Sequence, residues 1–422
     1  MRAVTSAPAN SGMWRNPAFQ RLLTATAVST FGSFITRMAL PLVAILMLES
    51  DAFGVALVRS MDLIAGLVVG LVAGAWVDRL RRRPVLVWTD LGRAALLATI
   101  PLAWLANVLS FAQLMVVALA AAALTTFNYA ADHAYLPTVV GREQLVGANS
   151  ALTASESVSE FTGFGVSGFL VQAFGGPLAI ALDAGTFVFS ALAVATIRTP
   201  EPPPDRAART NIRAEIAEGL RLVSRQPLLR AVTLASMATA ALWGIFGATW
   251  VIFAITELGL DATAIGVIAA IGGLGSFFGA VVAARYTSRI GLGRLMIVSL
   301  LAGALGNLLI PLAPIGAPLV AFGFLASQQL IGDAGMTAFD ISEVSVRQTV
   351  TDDRQLGRVN ATIRVSMLLA QLVATLCAGV LAVAIGLRFT LFLAPLGALT
   401  AAAIIWLSPL RSVRVLATLA RE

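Results

Sequence analysis

Two glutamates, Glu156 and Glu160, stand four residues apart in a long stretch that is otherwise free of charge. Residues at i and i+4 lie on one face of a helix, so the two carboxylates are neighbours if this stretch is helical. They would lie about 14 and about 20 Å from the start of their span, at 1.5 Å per residue. Two carboxylates this close in a medium of low dielectric cannot both stay ionised, so we expect one to exchange protons. The alternative is that Arg37, at comparable depth in the first span, pairs permanently with one of them.

Further ionisable residues fall inside the apolar stretches, where a charge costs about 2.5 to 3.5 kcal/mol on insertion scales and needs a partner or a function. In the tenth span, Glu343 and Arg347 have the spacing of a local pair, which leaves Asp333 and Asp340 without a local cation. Asp333 lies among glycines that would let a substrate approach. We therefore expect Asp333 to contact substrate or a proton, and we keep Asp340 as a second candidate for proton coupling.

Five other charged residues have local explanations. Arg59 and Asp62 lie one helical turn apart in the second span, and Asp90 and Arg93 lie one turn apart in the third. Both are predicted to form local pairs. Asp183 in the sixth span could equally be a buried, hydrogen-bonded acid or a residue that contacts substrate or a proton.

These residues must be positioned by a chain that is 58% hydrophobic and only 12% charged, whereas a soluble domain carries about 25% charge. Apolar segments of about 20 residues, enough to cross a hydrocarbon core about 30 Å thick, recur along the whole chain. None alternates apolar and polar residues as the strands of an outer-membrane barrel do. The sequence therefore predicts an all-α membrane protein with twelve transmembrane helices. The predicted spans are residues 22–48, 55–77, 85–105, 110–131, 147–171, 177–197, 229–256, 262–284, 294–313, 317–341, 359–384 and 388–408.

A break separates the first six spans from the last six. It carries a proline cluster at residues 202–204 that a helix interior does not tolerate, followed by apolar residues at helical spacing in a charged stretch. We predict an N-terminal six-helix bundle over residues 1–198 and a C-terminal six-helix bundle over residues 229–422. Between them, residues 199–228 are predicted to form a cytoplasmic linker with an amphipathic helix at the membrane surface.

The basic residues indicate how the spans are oriented. All 29 are arginines, and the loops on one side of the predicted membrane hold 24 of them, whereas the opposite loops hold acids and a single arginine, Arg388. The positive-inside rule then places both termini in the cytoplasm of a multi-pass protein of the inner (plasma) membrane. The net charge of +7 is thereby explained by topology, so no nucleic-acid partner is expected.

The residue inventory also limits the chemistry. The absence of lysine excludes a Schiff base and the phosphate-binding loop of nucleotide hydrolases, and nothing resembles a nucleophile with its base. A single cysteine and a single histidine provide neither a disulfide nor a histidine-rich metal site. We therefore expect no enzyme activity, no metal and no cofactor.

The two halves resemble each other in sequence. Two glycines near the end of the second span recur in the eighth at an offset of 205, and three residues around the start of the fifth span recur around the start of the eleventh at an offset of 211. Such parallel repeats, related by pseudo-twofold symmetry, are typical of transporters that open a central cavity alternately to each side. The matching residues are Gly70 and Gly275, Gly74 and Gly279, Gln144 and Gln355, Leu145 and Leu356, and Asn149 and Asn360.

The loop between the second and third spans, GAWVDRLRRRPVL from residue 74, could act as a charge latch. Its glycine allows close helix approach, and an acid at a helix end can pair with arginines in a contact that breaks and re-forms as the two halves move. The alternative is that the arginines only anchor the topology. The latch candidates are Gly74, Asp78, Arg79, Arg82 and Arg83, with Asp90 and Arg93 in the next span.

This loop resembles the G-x-x-x-D-R-x-G-R-R signature of the major facilitator superfamily, although Arg81 stands where glycine is usual. The stretches NPAFQRLL, FGSFITRMALPL, REQLVGANS and DRQLGRVNATIR resemble most the drug:proton antiporter branch, which includes macrolide-efflux-like and siderophore-exporter-like proteins. The resemblance implies the fold of that superfamily and transport by alternating access.

The fifth span departs from the branch's G-x-x-x-G-P-x-x-G-G signature. Phe164 replaces the proline, which would straighten the kink that the signature is thought to supply. The residues at its five positions are Ser159, Gly163, Phe164, Ser167 and Gly168.

In this superfamily the first, fourth, seventh and tenth spans line the substrate cavity. The seventh span carries an aromatic stripe at helical spacing, which would suit bulky amphipathic or cationic molecules; the alternative is that these rings face lipid. Residues of the fourth and tenth spans could complete the wall. The cavity candidates are Trp243, Phe246, Trp250, Phe127, Asn128, Gln328 and Met336.

Taken together, these patterns predict a secondary active transporter that exports hydrophobic or amphipathic small molecules, as in drug efflux and antibiotic resistance, against proton entry. The expected partners are the substrate, protons and the lipid bilayer, and the expected state is a monomer. The alternatives on the same fold are a lipid or lysolipid translocator and a siderophore exporter. An alternative of another class is a membrane receptor or scaffold without transport.

Overall fold

A computed structural model describes residues 12–77, 79–201 and 212–413, and the regular structure in this part of the chain is helical, without strands. Its α-helices are numbered here in chain order. They are α1 (Pro17–Leu46), α2 (Ala52–Val77), α3 (Arg82–Leu105), α4 (Phe111–Val140), α5 (Leu145–Phe174), α6 (Gly176–Ala195), α7 (Ile212–Arg225), α8 (Pro227–Thr256), α9 (Ala262–Ile290), α10 (Leu292–Leu312), α11 (Pro318–Val350), α12 (Asp353–Ile385), α13 (Leu387–Leu391) and α14 (Ala394–Leu407).

The helix lengths match the thickness of a lipid bilayer. Ten segments are both long and apolar enough to cross a bilayer, and α13 with α14 counts as one of them. Helices α5 and α11, with 30 and 33 residues, are also long enough but are less apolar. They carry the predicted proton-coupling acids along with many small polar residues. With the short helix α7 set aside, the described helices form twelve membrane-length segments, as predicted.

The chain divides into two compact units, which differ from the sequence halves in one respect. One unit contains Met1–Leu40 and Val68–Arg209, and the other contains Pro41–Leu67 and Thr210–Glu422. The end of α1 and the first half of α2 thus pack within the second unit, where Ala56 joins Ala248 and Ala378 in a buried cluster. The packing units therefore do not coincide with the predicted domain boundaries over this segment, and those boundaries stay a prediction.

Local structure repeats between the two halves. Before α2, Glu49 adopts a positive φ of 50° and Asp51 caps the helix by accepting a hydrogen bond from a backbone amide at 2.8 Å. Before α9, Gly259 has a φ of 67° and Asp261 caps the helix in the same way at 2.7 Å. Both pairs of positions are 210 residues apart, so the same turn and cap start the second and eighth spans.

A tertiary hydrogen bond repeats as well. The Asn16 side-chain amide, just before α1, donates to the carbonyl of Val139 near the end of α4 at 2.9 Å. The Gln226 amide, just before α8, donates to the carbonyl of Val350 at the end of α11 at 3.1 Å. The donors are 210 residues apart and the acceptors 211, which makes the two bonds equivalent.

These landmarks correct the offset of 205 that the glycines of the second and eighth spans suggest. The caps before α2 and α9 repeat at 210, and so do the starts of α3 and α10. An offset of 210 aligns Asp78 with Ser288 and Arg79 with Arg289 by sequence number. The second half therefore keeps one arginine of the predicted latch but lacks its acid.

The predicted amphipathic helix of the linker is α7, and its apolar face packs on α12. Val223 is buried in a cluster with Leu229, Val359 and Ile363. A salt bridge at 2.5 Å between Glu218 of α7 and Arg358 of α12 supports this contact; the location of α7 at the membrane surface stays a prediction.

Candidate functional site

The face of α5 with the two predicted proton-coupling glutamates is open in the structure. Glu156 and Glu160 are exposed, as is Arg37 on α1. Arg37 and Glu156 both interact electrostatically with Glu160. No salt bridge within the described residues joins Arg37 to either glutamate. The three side chains therefore form one cluster at the exposed surface of α1 and α5, and both proton exchange and permanent pairing with Arg37 stay predictions.

Two of the departures from the antiporter signature, Ser159 and Ser167, lie on the same helical stripe of α5 as the glutamates and pack on α1. The hydroxyls of Ser159 and Ser167 each donate to a backbone carbonyl of α1, those of Ala27 and Ile35, at 3.1 Å. Between them, Gly163 lets the two backbones approach, since a methyl group there would come within 2.8 Å of an α1 side chain. These small residues thus form a close, hydrogen-bonded seam between α1 and α5.

A buried polar cluster lies in the same unit where α1, α3, α4 and α6 meet. Asp90 and Arg93, only 2% and 4% exposed, form the predicted local salt bridge. The Asn128 amide contacts the Asp90 carboxylate at 3.1 Å and the Thr89 hydroxyl at 2.8 Å. The Arg93 guanidinium lies 4.0 Å from the centre of the Phe187 ring. Asn128, predicted as a cavity residue, is therefore engaged by this cluster.

Asp183 of α6 completes the cluster. It is fully buried and its carboxylate is hydrogen-bonded to the hydroxyls of Thr36 on α1 and Thr186 on α6. Asp90 and Arg93 both interact with it electrostatically. The interpretation of Asp183 as a buried, hydrogen-bonded acid is confirmed.

The arginine block is in part fixed within the first unit. Asp78 lies outside the described residues, Gly74 lies in the last turns of α2, and Arg79 is exposed. The backbone amides of Arg82 and Arg83, in the first turn of α3, donate to the Glu201 carboxylate at 2.6 and 3.0 Å. The Arg83 guanidinium donates to the carbonyl of Ala195 at the end of α6. Arg83 thus ties α3 to α6, while the latch itself stays a prediction.

Glu201 is the residue that the sequence pattern missed in the arginine block. It lies 119 residues after Arg82, on which it acts as a helix cap. Arg81, the residue at the cap position, makes no side-chain capping bond. An acid just after the sixth span and a helix start without Ser, Thr, Asp or Asn are the two signals that could have suggested this partnership.

In the second unit, Asp333 lies at the contact between α11 and α9. A methyl group on Gly272 of α9 would overlap its carboxylate and approach the Gln329 amide within 2.6 Å. Glu343 and Arg347 form the predicted pair at 3.6 Å, and the exposed Asp340 has Glu343 as an electrostatic neighbour. The structure does not bring Asp333 and Asp340 into one cluster.

Two of the predicted cavity residues are enclosed between helices. Gln328 and Met336 are each 1% exposed, and Met336 lies against Gly303 of α10, whereas Gln328 and Asn307 of α10 both approach Gly332. This packing gives Gln328 and Met336 a structural role in the contact between α10 and α11.

The predicted aromatic residues form ring contacts. Phe246 stacks on Trp250 with centroids 5.3 Å apart and meets Trp243 edge-on at 5.5 Å, so the stripe on α8 is continuous. Phe127 on α4 contacts the Trp76 ring at 6.2 Å. Phe246 and Trp250 are each only 8% exposed, and their contact with a substrate stays a prediction.

The fold and these polar residues define a multi-pass helical membrane protein made of two related six-span repeats. A sequence model described as Major Facilitator Superfamily matches residues 22–247 and 232–421. The chain therefore belongs to this superfamily and is a membrane transporter, which confirms the resemblance and the predicted fold class.

Similar proteins include multidrug efflux pumps. The chain is 31% identical to the multidrug efflux pump Tap of Mycolicibacterium fortuitum over 283 residues, which are 64% of this chain and 68% of that protein. It is 30% identical to the Tap pump of Mycobacterium tuberculosis over 239 residues, 54% of this chain and 56% of that protein. The match therefore spans about half of the second pump's length.

Solved transporter structures have the same fold. The nucleoside transporter NupG superposes with a TM-score of 0.70 at 15% identity, covering 93% of this chain and 98% of its own. A bacterial homologue of the iron transporter ferroportin gives a TM-score of 0.73 at 16% identity, covering 92% and 98%. Identities this low establish the fold alone.

Proposed function

We propose that the protein is a secondary active transporter that exports hydrophobic or amphipathic small molecules across the plasma membrane in exchange for protons. The observation that carries the proposal is the 31% identity to a multidrug efflux pump over 64% of the chain. The topology with both termini in the cytoplasm and the monomeric state are part of the proposal.

The open glutamate cluster on α5 is the proposed point of proton exchange. Glu156 and Glu160 are exposed on a membrane-length helix, and Arg37 interacts electrostatically with Glu160, which supports their role in proton exchange. Protonation lowers the cost of moving a carboxyl group through a region of low dielectric. A substrate that binds the deprotonated form more tightly is then released when protons bind, and the two ligands exchange by linkage.

The aromatic stripe on α8 is the proposed substrate contact. Stacked indole and phenyl rings offer area and ring faces to flat or cationic molecules without requiring fixed hydrogen bonds. Such a surface accepts many related compounds, as a multidrug pump must.

Transport into proteoliposomes of defined orientation tests the proposal, with ethidium as a fluorescent amphipathic cation. The wild-type protein is expected to move ethidium when a proton gradient is imposed. The double variant Glu156→Gln with Glu160→Gln is expected to lose at least about 100-fold in this gradient-driven rate, the lower end of what one positioned proton-transfer group contributes. Glu143→Gln, an exposed acid before the start of α5, is the matched control and should transport normally.

Resistance of a hypersensitive strain extends the test to other compounds. Expression of the wild-type protein should raise tolerance to several hydrophobic toxins, and the double variant should not. If the wild type confers no tolerance and moves no ethidium, drug export is wrong; if the double variant transports normally, the assignment of the two glutamates is wrong.

A further inference from the structure

The buried cluster of the first unit contains more acid than base. Asp90, Arg93 and Asp183 are 2%, 4% and 0% exposed, and the two carboxylates flank one guanidinium. With all three groups ionised the cluster would carry a net negative charge in a membrane-spanning bundle. One bound proton would make it neutral.

The hydrogen bonds around Asp183 favour a proton on its carboxyl group. The Thr186 hydroxyl lies 2.8 Å from the backbone carbonyl of Asp183 and 3.0 Å from its carboxylate, yet it has one hydrogen to donate. If that hydrogen goes to the carbonyl, the 3.0 Å contact is a hydrogen bond only when the carboxyl group carries a hydrogen that it donates to the Thr186 oxygen. The Thr36 hydroxyl on the other oxygen can donate to a carboxylate or accept from a carboxylic acid, so it suits both states.

The neighbouring helices contribute further polar groups but no second cation among the described residues that contact the cluster. From α4 come Asn128 and Thr125, and Asp132 interacts electrostatically with Asp90. From α6 the Ser190 hydroxyl bonds Asp90. Thr125 is exposed and contacts the Arg93 guanidinium at 3.4 Å, so the cluster extends to the exposed surface of α4.

The second half of the chain shows that the fold does not require these charges. The landmarks give an offset of 210 for α1 and α3 and of 211 for α6. At these offsets Gly32 corresponds to Leu242 and Thr186 to Gly397. Gly32 closely approaches Thr186 and Leu242 closely approaches Gly397, which supports the alignment. At these offsets the residues equivalent to Asp90, Arg93 and Asp183 are Leu300, Gly303 and Ala394.

The equivalent place in the second unit is apolar. Ala394 and Leu242 belong to a buried hydrophobic cluster with Ala304 and Ala398. The same architecture thus forms around alkyl groups in one repeat and around three charged groups in the other. Because buried ionic clusters add little stability over well-packed apolar residues, the charges of the first repeat are explained by a function.

We propose that Asp90, Arg93 and Asp183 form a proton-binding site inside the first bundle, separate from the exposed glutamates of α5. One proton from water binds a carboxylate of the cluster, giving a neutral carboxylic acid, and leaves again to water as the transporter cycles. Arg93 stabilises the remaining carboxylate in both states. The role in the transport cycle rests on the proposed function, whereas proton binding itself does not.

Infrared difference spectroscopy of the full-length protein in lipid nanodiscs tests the binding directly. Between acidic and basic pH the wild type should show a carbonyl stretch of a protonated carboxyl group that disappears as pH rises. Asp183→Asn and Asp90→Asn should each change or abolish this band, and Thr36→Val should shift its frequency while both acids remain. Glu143→Gln, on an exposed acid outside the cluster, is the control and should leave this band in place.

A variant that fills the place of the cluster with alkyl side chains separates a lost proton site from lost folding. Asp90→Leu with Arg93→Leu and Asp183→Ala should remain folded, with a thermal midpoint at or above that of the wild type, and should lack the band. The site is overturned if no band depends on Asp90 or Asp183, or if their band persists unchanged at every pH.

Ethidium transport distinguishes this site from the proposed function. If the band titrates but no proton gradient drives ethidium transport, export against protons fails and the binding site stands. If the wild type couples transport to protons and Asp183→Asn couples equally well, the role of the cluster in the cycle is overturned.

Discussion

Removal of the Glu201 carboxylate is expected to release the N-terminal turn of α3. The first four amides of a helix have no partner within it, so the backbone amides of Arg82 and Arg83 depend on the Glu201 oxygens at 2.6 and 3.0 Å. The same carboxylate places a negative charge at the positive end of the helix dipole.

The size of the effect follows from the two bonds. Glu201→Gln keeps one acceptor oxygen but loses the charge and one of the bonds, which should cost about 1 kcal/mol. Glu201→Ala loses both bonds and should cost about 2 kcal/mol, which raises the open fraction of this turn roughly 30-fold. The cost is kept at the level of a helix cap because the site is only partly buried.

Hydrogen exchange read by mass spectrometry at residue level measures this opening. In Glu201→Ala the amides of Arg82 and Arg83 should exchange about 30-fold faster, the factor that corresponds to about 2 kcal/mol. Exchange in the middle of α3 should not change. Glu218→Gln, which removes the acid of the salt bridge between α7 and α12, is the control and should leave the exchange of the α3 amides unchanged. Unaltered protection of both amides in Glu201→Ala would refute the capping role.

Three further substitutions test packing. Ser167→Ala removes a buried bond between α5 and α1 and should lower the free energy of unfolding by about 1 kcal/mol, seen as a lower thermal midpoint, whereas Ser157→Ala, an exposed bond within α5, should not. Gly244→Ala places a methyl group 2.5 Å from a backbone oxygen of α12 and should lower the free energy of unfolding by about 1 to 3 kcal/mol. Gly247→Ala, where the nearest atom is 3.6 Å away, is the control. Equal thermal midpoints for the two variants would contradict the prediction. Glu257→Gln breaks the bridge to Arg388 at 3.6 Å and leaves the Arg388 bond to the Ala313 carbonyl in place. It should lower the free energy of unfolding by about 0.5 kcal/mol because both groups are partly exposed, and an unchanged thermal midpoint would contradict this.

Features set by neighbours along the chain could be predicted from the sequence. The pairs Arg59 with Asp62 and Glu343 with Arg347 form because helical periodicity places them on one face, and both appear at 4.0 and 3.6 Å. The predicted sixth span, residues 177–197, corresponds to α6 at Gly176–Ala195, because a long apolar run bounded by glycine leaves little choice of register.

Features that depend on which helices pack together could not be predicted in this way. Thr36 reaches Asp183 across 147 residues, and Glu201 reaches Arg82 across 119. No periodicity within one helix indicates which face of another it meets. The sequence pattern therefore placed Asp183 correctly as a buried acid but did not indicate that Asp90 and Arg93 would lie beside it.

Comparison of the two repeats separates what the fold needs from what it only permits. At the contact of the first and fifth spans, Gly163 of α5 faces Phe34 of α1, and at the equivalent contact Ala374 of α12 faces Gly244 of α8. The glycine lies on the fifth span in the first repeat and on the seventh span, the equivalent of the first, in the second repeat. The two helices approach closely in both repeats, because a glycine on either helix removes a side chain from the same gap. A feature that survives such exchange belongs to the architecture. The charged cluster around Asp183 has no equivalent in the second repeat, where alkyl groups fill the same place, so its retention in the first repeat is explained by chemistry that packing does not need.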